Sequence, residues 1–287
     1  MRDFDYIAPK SVKETVKILS EYKDDAKIIA GGQSLLNILK QDLMAPEILV
    51  DIKNLSELDY ITYDEKEGMR IGATTTHHAV ETSPIILEHY PLLAEMEHTL
   101  AFPQTRNWGT IGGNLCIQDP TGDVAPILIA LKATVKIVGP NGERMLPMED
   151  FSTDYYETVL EEDELLAEIL VPPMAPRTGI AYSKFRIVEG DAPIVGAAVA
   201  FTLNEDGTCA DARVATNGTA PIPLRIPDAE AVFKGKKITD DLISEAVEIA
   251  GEAMECIPDI VASDEYKKRV AKAYVKRMAK KALSQIQ

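Results

Sequence analysis

The chain has 287 residues, of which 46% are hydrophobic, 26% charged and 6% aromatic. That composition excludes disorder and collagen and leaves room for two or three domains of roughly 100–150 residues each. Lysine and arginine total 30 against 46 aspartates and glutamates, a formal charge of −16, which argues against a general nucleic-acid binder because phosphate contacts need a basic face.

From the N-terminus, Ser11 with Glu14 three positions later reads as a capped amphipathic helix near 11–22. A short apolar strand, Lys27-Ile28-Ile29-Ala30, runs into Gly31-Gly32 and then a helix from Ser34, and Ile48–Ile52 supplies another buried strand. A hairpin follows (60–63 and 69–71), then short helices near 76–81, 84–88 and 91–98, and an irregular stretch over 102–109. Val124–Leu131 reads as a helix, with strands near 133–138 and 165–171. Pro172 to Pro176 is the best linker candidate. Beyond it, strands near 180–187, 194–203 and 209–216 predict an antiparallel sheet, closed by helices near 239–254 and 263–285. The expected units are 1–57, 58–174 and 177–287.

Cys116, Cys209 and Cys256 lie far apart, so no cysteine-ligated zinc or iron–sulfur centre is expected in this chain. The first residues lead into no apolar run, and no stretch approaches the ~20 apolar residues of a membrane span, so a cytoplasmic protein is expected. The sequons at Asn54 and Asn217 then read as chance matches. His77, His78, His89 and His98 have no carboxylate at ligand spacing, so no metal site is expected. The acidic run Glu161-Glu162-Asp163-Glu164 reads as a solvated loop, and Tyr266, Val270, Tyr274 and Met278, spaced by four, as the packing face of a basic terminal helix.

The two glycine pairs carry the most information. In Ala30-Gly31-Gly32-Gln33-Ser34 a strand ends in a tight turn and a helix begins, which gathers N–H groups in one space suited to an anion such as a pyrophosphate. Thr110-Ile111-Gly112-Gly113-Asn114 reads as a second device of the same kind. Neither fits the Rossmann or P-loop pattern.

The segments A-G-G-Q-S-L-L at 30–36 and T-R-N-W-G-T-I-G-G-N-L at 105–115 resemble the FAD-binding subunits of the molybdenum hydroxylase family. The opening Phe4-Asp5-Tyr6-Ile7-Ala8-Pro9 and the G-D-x-P-I-V-G stretch at 190–196 extend the resemblance over essentially the whole chain, within the carbon monoxide dehydrogenase and xanthine dehydrogenase branch. It implies an α+β protein in which two α/β subdomains of the PCMH-type FAD-binding fold clasp FAD and a C-terminal α+β domain follows. By the same resemblance, Ala30, Gly31, Gly32, Gln33, Ser34 and Leu35, with Thr110, Gly113 and Asn114, wrap the FAD diphosphate. Asp123 matches a family aspartate near the adenosine ribose, with Asp119 as competitor. Lys184 matches a lysine near the flavin, and Ile169 or Leu170 would pack close to the ring or the adenine.

The resemblance further implies an electron-transfer subunit without catalytic residues for the organic substrate. A large molybdopterin subunit would hydroxylate the substrate, a small [2Fe–2S] subunit would pass the electrons on, and FAD would deliver them to an acceptor such as NAD. Two departures stand out. Ala192 replaces an aromatic residue that often shields the flavin, leaving Tyr182 or another aromatic to take that place. Gln33 stands where close relatives often have histidine and cannot bond covalently to flavin, so non-covalent FAD is expected. A stand-alone flavin reductase or oxidase, or a non-catalytic nucleotide-binding assembly module, are the alternatives.

Overall fold

Ser11 caps the first helix with its hydroxyl, which accepts from the Glu14 N–H at 3.1 Å. Glu14 Oε2 accepts from the Lys10 N–H at 2.7 Å, one residue outside the reciprocal bond of a capping box. The computed structural model describes residues 2–286. Strand β1 (Asp5–Ile7), helix α1 (Val12–Tyr22), strand β2 (Ala26–Ile29), helix α2 (Leu35–Lys40) and strand β3 (Ile48–Asp51) form a first unit with a parallel sheet in the order β1-β3-β2. Its buried side chains, among them Val16, Leu19, Ala26, Ile48 and Val50, pack with Leu165 and Ala167 from a later strand.

The second unit opens with the expected hairpin, β4 (Ile61–Asp64) and β5 (Gly68–Gly72). Helices α3 (His77–Thr82), α4 (Pro84–His89) and α5 (Pro91–Thr99) follow, then α6 (Pro103–Arg106), α7 (Ile111–Ile117) and α8 (Val124–Ala130). Strands β6 (Thr134–Gly139), β7 (Gly142–Pro147), β8 (Ser152–Asp154), β9 (Glu157–Thr158) and β10 (Leu165–Val171) complete it, with an antiparallel sheet ordered β4-β5-β10-β6-β7. The register of β10 on β6 shifts between Leu166 and Glu168. A one-residue slip exchanges the faces of a strand, and here it sends Leu165 and Ala167 to the first core but Ile169 and Val171 to the second.

The third unit comprises β11 (Thr178–Phe185), β12 (Val195–Leu203), β13 (Cys209–Asn217), β14 (Leu224–Arg225), α9 (Pro227–Ala231), α10 (Asp240–Ala253) and α11 (Asp264–Ser284). Its antiparallel sheet runs in chain order and is buried on both faces. Val195, Ala197, Val199 and Phe201 face the unit's own helices. Ala198, Ala200 and Ala215, with Ile180 and Tyr182, join the core of the second unit instead. Small side chains on that face let α8 lie close against the sheet. Glu149 of the second unit adds ion pairs to Arg213 at 3.0 Å and Arg225 at 2.8 Å. Tyr266 and Tyr274 pack at an angle on Phe185 and Met278 is buried, so the spacing-four stripe is a packing face. Among the described residues, no helix is long and apolar enough to cross a membrane.

Candidate functional site: a cleft between two glycine segments

The turn after β2 is built of residues that leave their N–H groups free. Gly32 has φ +69°, a left-handed conformation that favours glycine. A Cβ on Gly31 would lie 2.2 Å from the carbonyl oxygen of Trp108, so the first segment meets the approach to the second backbone to backbone. Lys53, just after β3, tightens the same contact with its Nζ 3.6 Å from the Trp108 ring centre. Among the described residues no group accepts from the N–H of Gly31, Gly32, Gln33 or Ser34, and the Ser34 hydroxyl caps nothing. The Gln33 amide is turned back on the Gly31 carbonyl at 3.3 Å.

The second glycine pair works differently from the expected loop. Gly112 and Gly113 lie in the first turn of α7, with Thr110 as its cap. Their N–H groups are already used. Gly112 donates to the Ala73 carbonyl at 2.9 Å and Gly113 to Thr110 Oγ1 at 3.1 Å, while Ile111 and Asn114 donate to the carbonyls of Thr75 and Thr110. What this segment offers the cleft is the Asn114 amide, which has no protein partner among the described residues, and the Thr110 hydroxyl proton.

Between the segments lies a cleft of about 620 Å³, within the range of small-molecule sites. Ala30, Gly31, Gly32, Gln33, Ser34, Leu35, Thr110, Gly113, Asn114, Asp119 and Asp123 all line it. Ile169, Leu170 and Lys184 do not. Ile169 is turned into the second core by the β10 register shift, and Leu160, Leu165 and Leu166 supply the apolar wall instead. Lys184 stands behind Asp123, its Nζ 2.6 Å from Oδ2, and the Tyr182 hydroxyl donates to Oδ1. Burial pushes the Asp123 carboxyl above its ordinary range, an effect that Lys184 and Tyr182 partly offset. Asp119 is engaged by the N–H and hydroxyl of Thr121. Tyr182, buried and bound to Asp123, shields no cleft face; the tyrosine on the wall is Tyr156.

Two wall features lay outside the sequence reading. The acidic run is part of the wall: Glu161, Glu162 and Glu164 line the cleft, and Glu164 pairs with Arg144 at 2.6 Å. His77 also lines it, with Nδ1 2.8 Å from Oε2 of the fully buried Glu97. No sequence signal joins that pair, whose members lie on α3 and α5, 20 residues apart. Cys116 is exposed on the wall.

A row of free N–H groups facing a second glycine segment across such a cleft is the arrangement of a protein that holds dinucleotide phosphates. Comparison with known families agrees. Residues 2–174 match the FAD binding domain in molybdopterin dehydrogenase, and residues 180–282 match the CO dehydrogenase flavoprotein C-terminal domain. The chain belongs to this family, and is an oxidoreductase subunit of α+β fold that carries its FAD-binding domain. It is 38% identical over 274 residues to the carbon monoxide dehydrogenase medium chain of Hydrogenophaga pseudoflava, covering 96% of this chain and 95% of that one. It is 34% identical to the 6-hydroxypseudooxynicotine dehydrogenase complex subunit alpha of Paenarthrobacter nicotinovorans, covering 98% and 94%. A solved structure of the Hydrogenophaga pseudoflava carbon monoxide dehydrogenase, lacking the Mo-pyranopterin moiety, superposes with a TM-score of 0.95 at 39% identity over 99% of this chain and 98% of that one.

Proposed function

We propose that this chain holds FAD non-covalently in the cleft and serves as the electron-transfer subunit of a molybdenum-dependent hydroxylase complex. Electrons would come from the [2Fe–2S] clusters of a small partner subunit, after oxidation of the substrate on a large molybdopterin subunit. They would leave to an external acceptor such as NAD. Bound FAD supplies the exchange between one-electron and two-electron transfer.

The observation that carries this reading is the set of free N–H groups at Gly31–Ser34. They fit a diphosphate without needing a basic side chain, which suits a chain of charge −16. In this reading the Ser34 and Thr110 hydroxyls and the Asn114 amide add donors, and Asp123 accepts from a ribose hydroxyl while Lys184 balances its charge. Leu160, Leu165 and Leu166 keep water from the apolar part of the cofactor. Ala192 leaves one side of the cleft low, so Tyr156 is the aromatic available to cover a ring. Residues 1–57 and 58–174 are the two subdomains that clasp the cofactor, and 177–287 the C-terminal domain. A reduced, cytoplasmic setting goes with three unpaired cysteines.

The test is purification of the chain from its native source. A yellow chain that travels with molybdenum and iron–sulfur chains, and releases all its flavin on acid denaturation, is the expected result. A chain that stays colourless and takes up no FAD on reconstitution overturns the reading. Steady turnover by the isolated chain points instead to a stand-alone reductase.

A further inference from the structure

The cleft wall is poorly suited to an anion by its charges. Six carboxylates line it, from Asp119, Asp123, Glu161, Glu162, Glu164 and Asp191, against a single lysine, Lys27, and no arginine. Asp123 and Glu164 are neutralised by Lys184 and Arg144; no ion pair among the described residues joins Glu161, Glu162 or Asp191 to a cation. The remaining group that can carry a positive charge on the wall is His77. Its backbone N–H donates to the Gly109 carbonyl at 3.0 Å. Its ring lies at the seam of the two glycine segments, where a Cβ added to Gly109 would meet His77 Cδ2 at 3.2 Å and Gln33 Cγ at 3.5 Å.

Glu97 sets the chemistry of that ring. Its side chain has no exposed surface, Oε2 meets His77 Nδ1, and Oε1 is buried without a partner. An ionised carboxylate is an acceptor only, so it fixes the Nδ1 proton of His77 and leaves Nε2, which has no protein partner among the described residues, as the variable atom. A neutral ring leaves one uncompensated buried charge on Glu97 and turns a lone pair toward the cleft. A protonated ring neutralises Glu97 and turns an N–H donor toward the cleft. Of the other titratable groups on the packed helices, Glu95 of α5 is exposed and the rest face one another. Glu81 of α3 takes Arg106 of α6, His98 of α5 and His78, and His89 of α4 faces Glu88.

We propose that His77, held by Glu97, is a cofactor-binding residue whose protonated ring meets the anionic diphosphate, so that binding FAD takes up a proton at Nε2. This rests on the FAD reading above and adds to it a linkage between pH and affinity that glycine N–H groups alone would not produce. Only the protonated ring presents a donor at Nε2, so affinity for the diphosphate falls as pH rises.

The test is fluorescence titration of the flavin-free full-length chain with FAD between about pH 6 and pH 9, for wild type, His77→Gln and Glu97→Gln. Alongside, NMR follows the titration of the His77 ring in wild type with and without FAD. Wild-type affinity is expected to weaken by up to about tenfold per pH unit, the limit for one linked proton. His77→Gln should bind without that slope, and Glu97→Gln should begin it at lower pH. By reciprocity FAD should raise the pKa of the His77 ring. A flat wild-type profile, an unchanged slope in His77→Gln, or a His77 titration that FAD leaves unmoved overturns the proposal. The NMR arm decides if the variants fail to fold. If wild type takes up no FAD at any pH, the FAD reading fails first and this one with it.

Discussion

Lys184 Nζ and Asp123 Oδ2 lie 2.6 Å apart across the junction of the second and third units, each side chain 5% exposed. The pair therefore joins a helix start to a strand of another sheet in surroundings with little water. Removing one member of a buried pair leaves the other uncompensated, at a cost of about 3–5 kcal/mol. Lys184→Met should lower the unfolding free energy by about that amount, and a second change, Asp123→Asn, should recover much of it. Denaturant midpoints of the two variants check this.

The same pair predicts a pH trend. Burial holds the folded pKa of Asp123 above its ordinary value of 3.8. The folded state thus binds the proton more tightly than the unfolded one, and this contribution to stability is lost as pH rises from about 3.8 through the folded value. Asp123→Asn should flatten that part of the stability profile, and Lys184→Met should steepen it. Urea unfolding over a pH series separates the three curves.

Gly31→Ala places a methyl group where the Trp108 carbonyl oxygen now lies. Relief requires the two glycine segments to part, at a cost of about 1–3 kcal/mol. The variant should fold yet lose most of its bound flavin, read as the ratio of flavin to protein absorbance. Full retention of flavin would show that the contact does not shape the site.

Cys116 is exposed on the cleft wall, Cys209 is buried and Cys256 lies between. Alkylation at Cys116 should quicken as pH rises and the thiol becomes the reactive thiolate. Saturating FAD should block labelling at Cys116 and leave Cys256 unaffected. Mass spectrometry of alkylated peptides distinguishes the sites.

The third unit, produced alone as 177–287, should associate or bind hydrophobic dyes. Its sheet would expose Ile180, Tyr182, Ala198, Ala200 and Ala215, which the second unit now covers. The whole chain should bind no dye at that face, because α8 keeps it buried. Sedimentation and dye binding of the piece and the whole chain test this.

Much of this was legible in the residues. Ser11, the apolar strands around Ile28 and Val50, the hairpin before Gly72 and the three long strands after Pro176 each carry a local signal strong enough to place them. Strand β7 carried none, since most of its residues are exposed and no apolar alternation marks it. The Gly31 turn announced itself; the use of the Gly112 and Gly113 N–H groups inside α7 did not, because it depends on Ala73, far off in sequence. Ile169 illustrates a further limit. A period of two places it beside Leu165, and only the register shift, which depends on β6, turns it away. His77 with Glu97 and Asp123 with Lys184 are pairings between distant segments, and single-residue signals do not reveal a pairing.

The bare approach of Gly31 to Trp108 has one more consequence. The first glycine segment follows a strand of the first unit and the second opens a helix of the second unit, so a ligand bridging them is also a staple across a seam in the chain. Loss of the ligand and loosening of the seam should be one event. Any ligand that binds only the closed form adds about 2.7 kcal/mol at a hundred times its dissociation constant. Freed of its flavin, the first 50 or so residues should be the earliest part of the molecule to exchange their amide hydrogens, long before the doubly covered sheet of the third unit gives way.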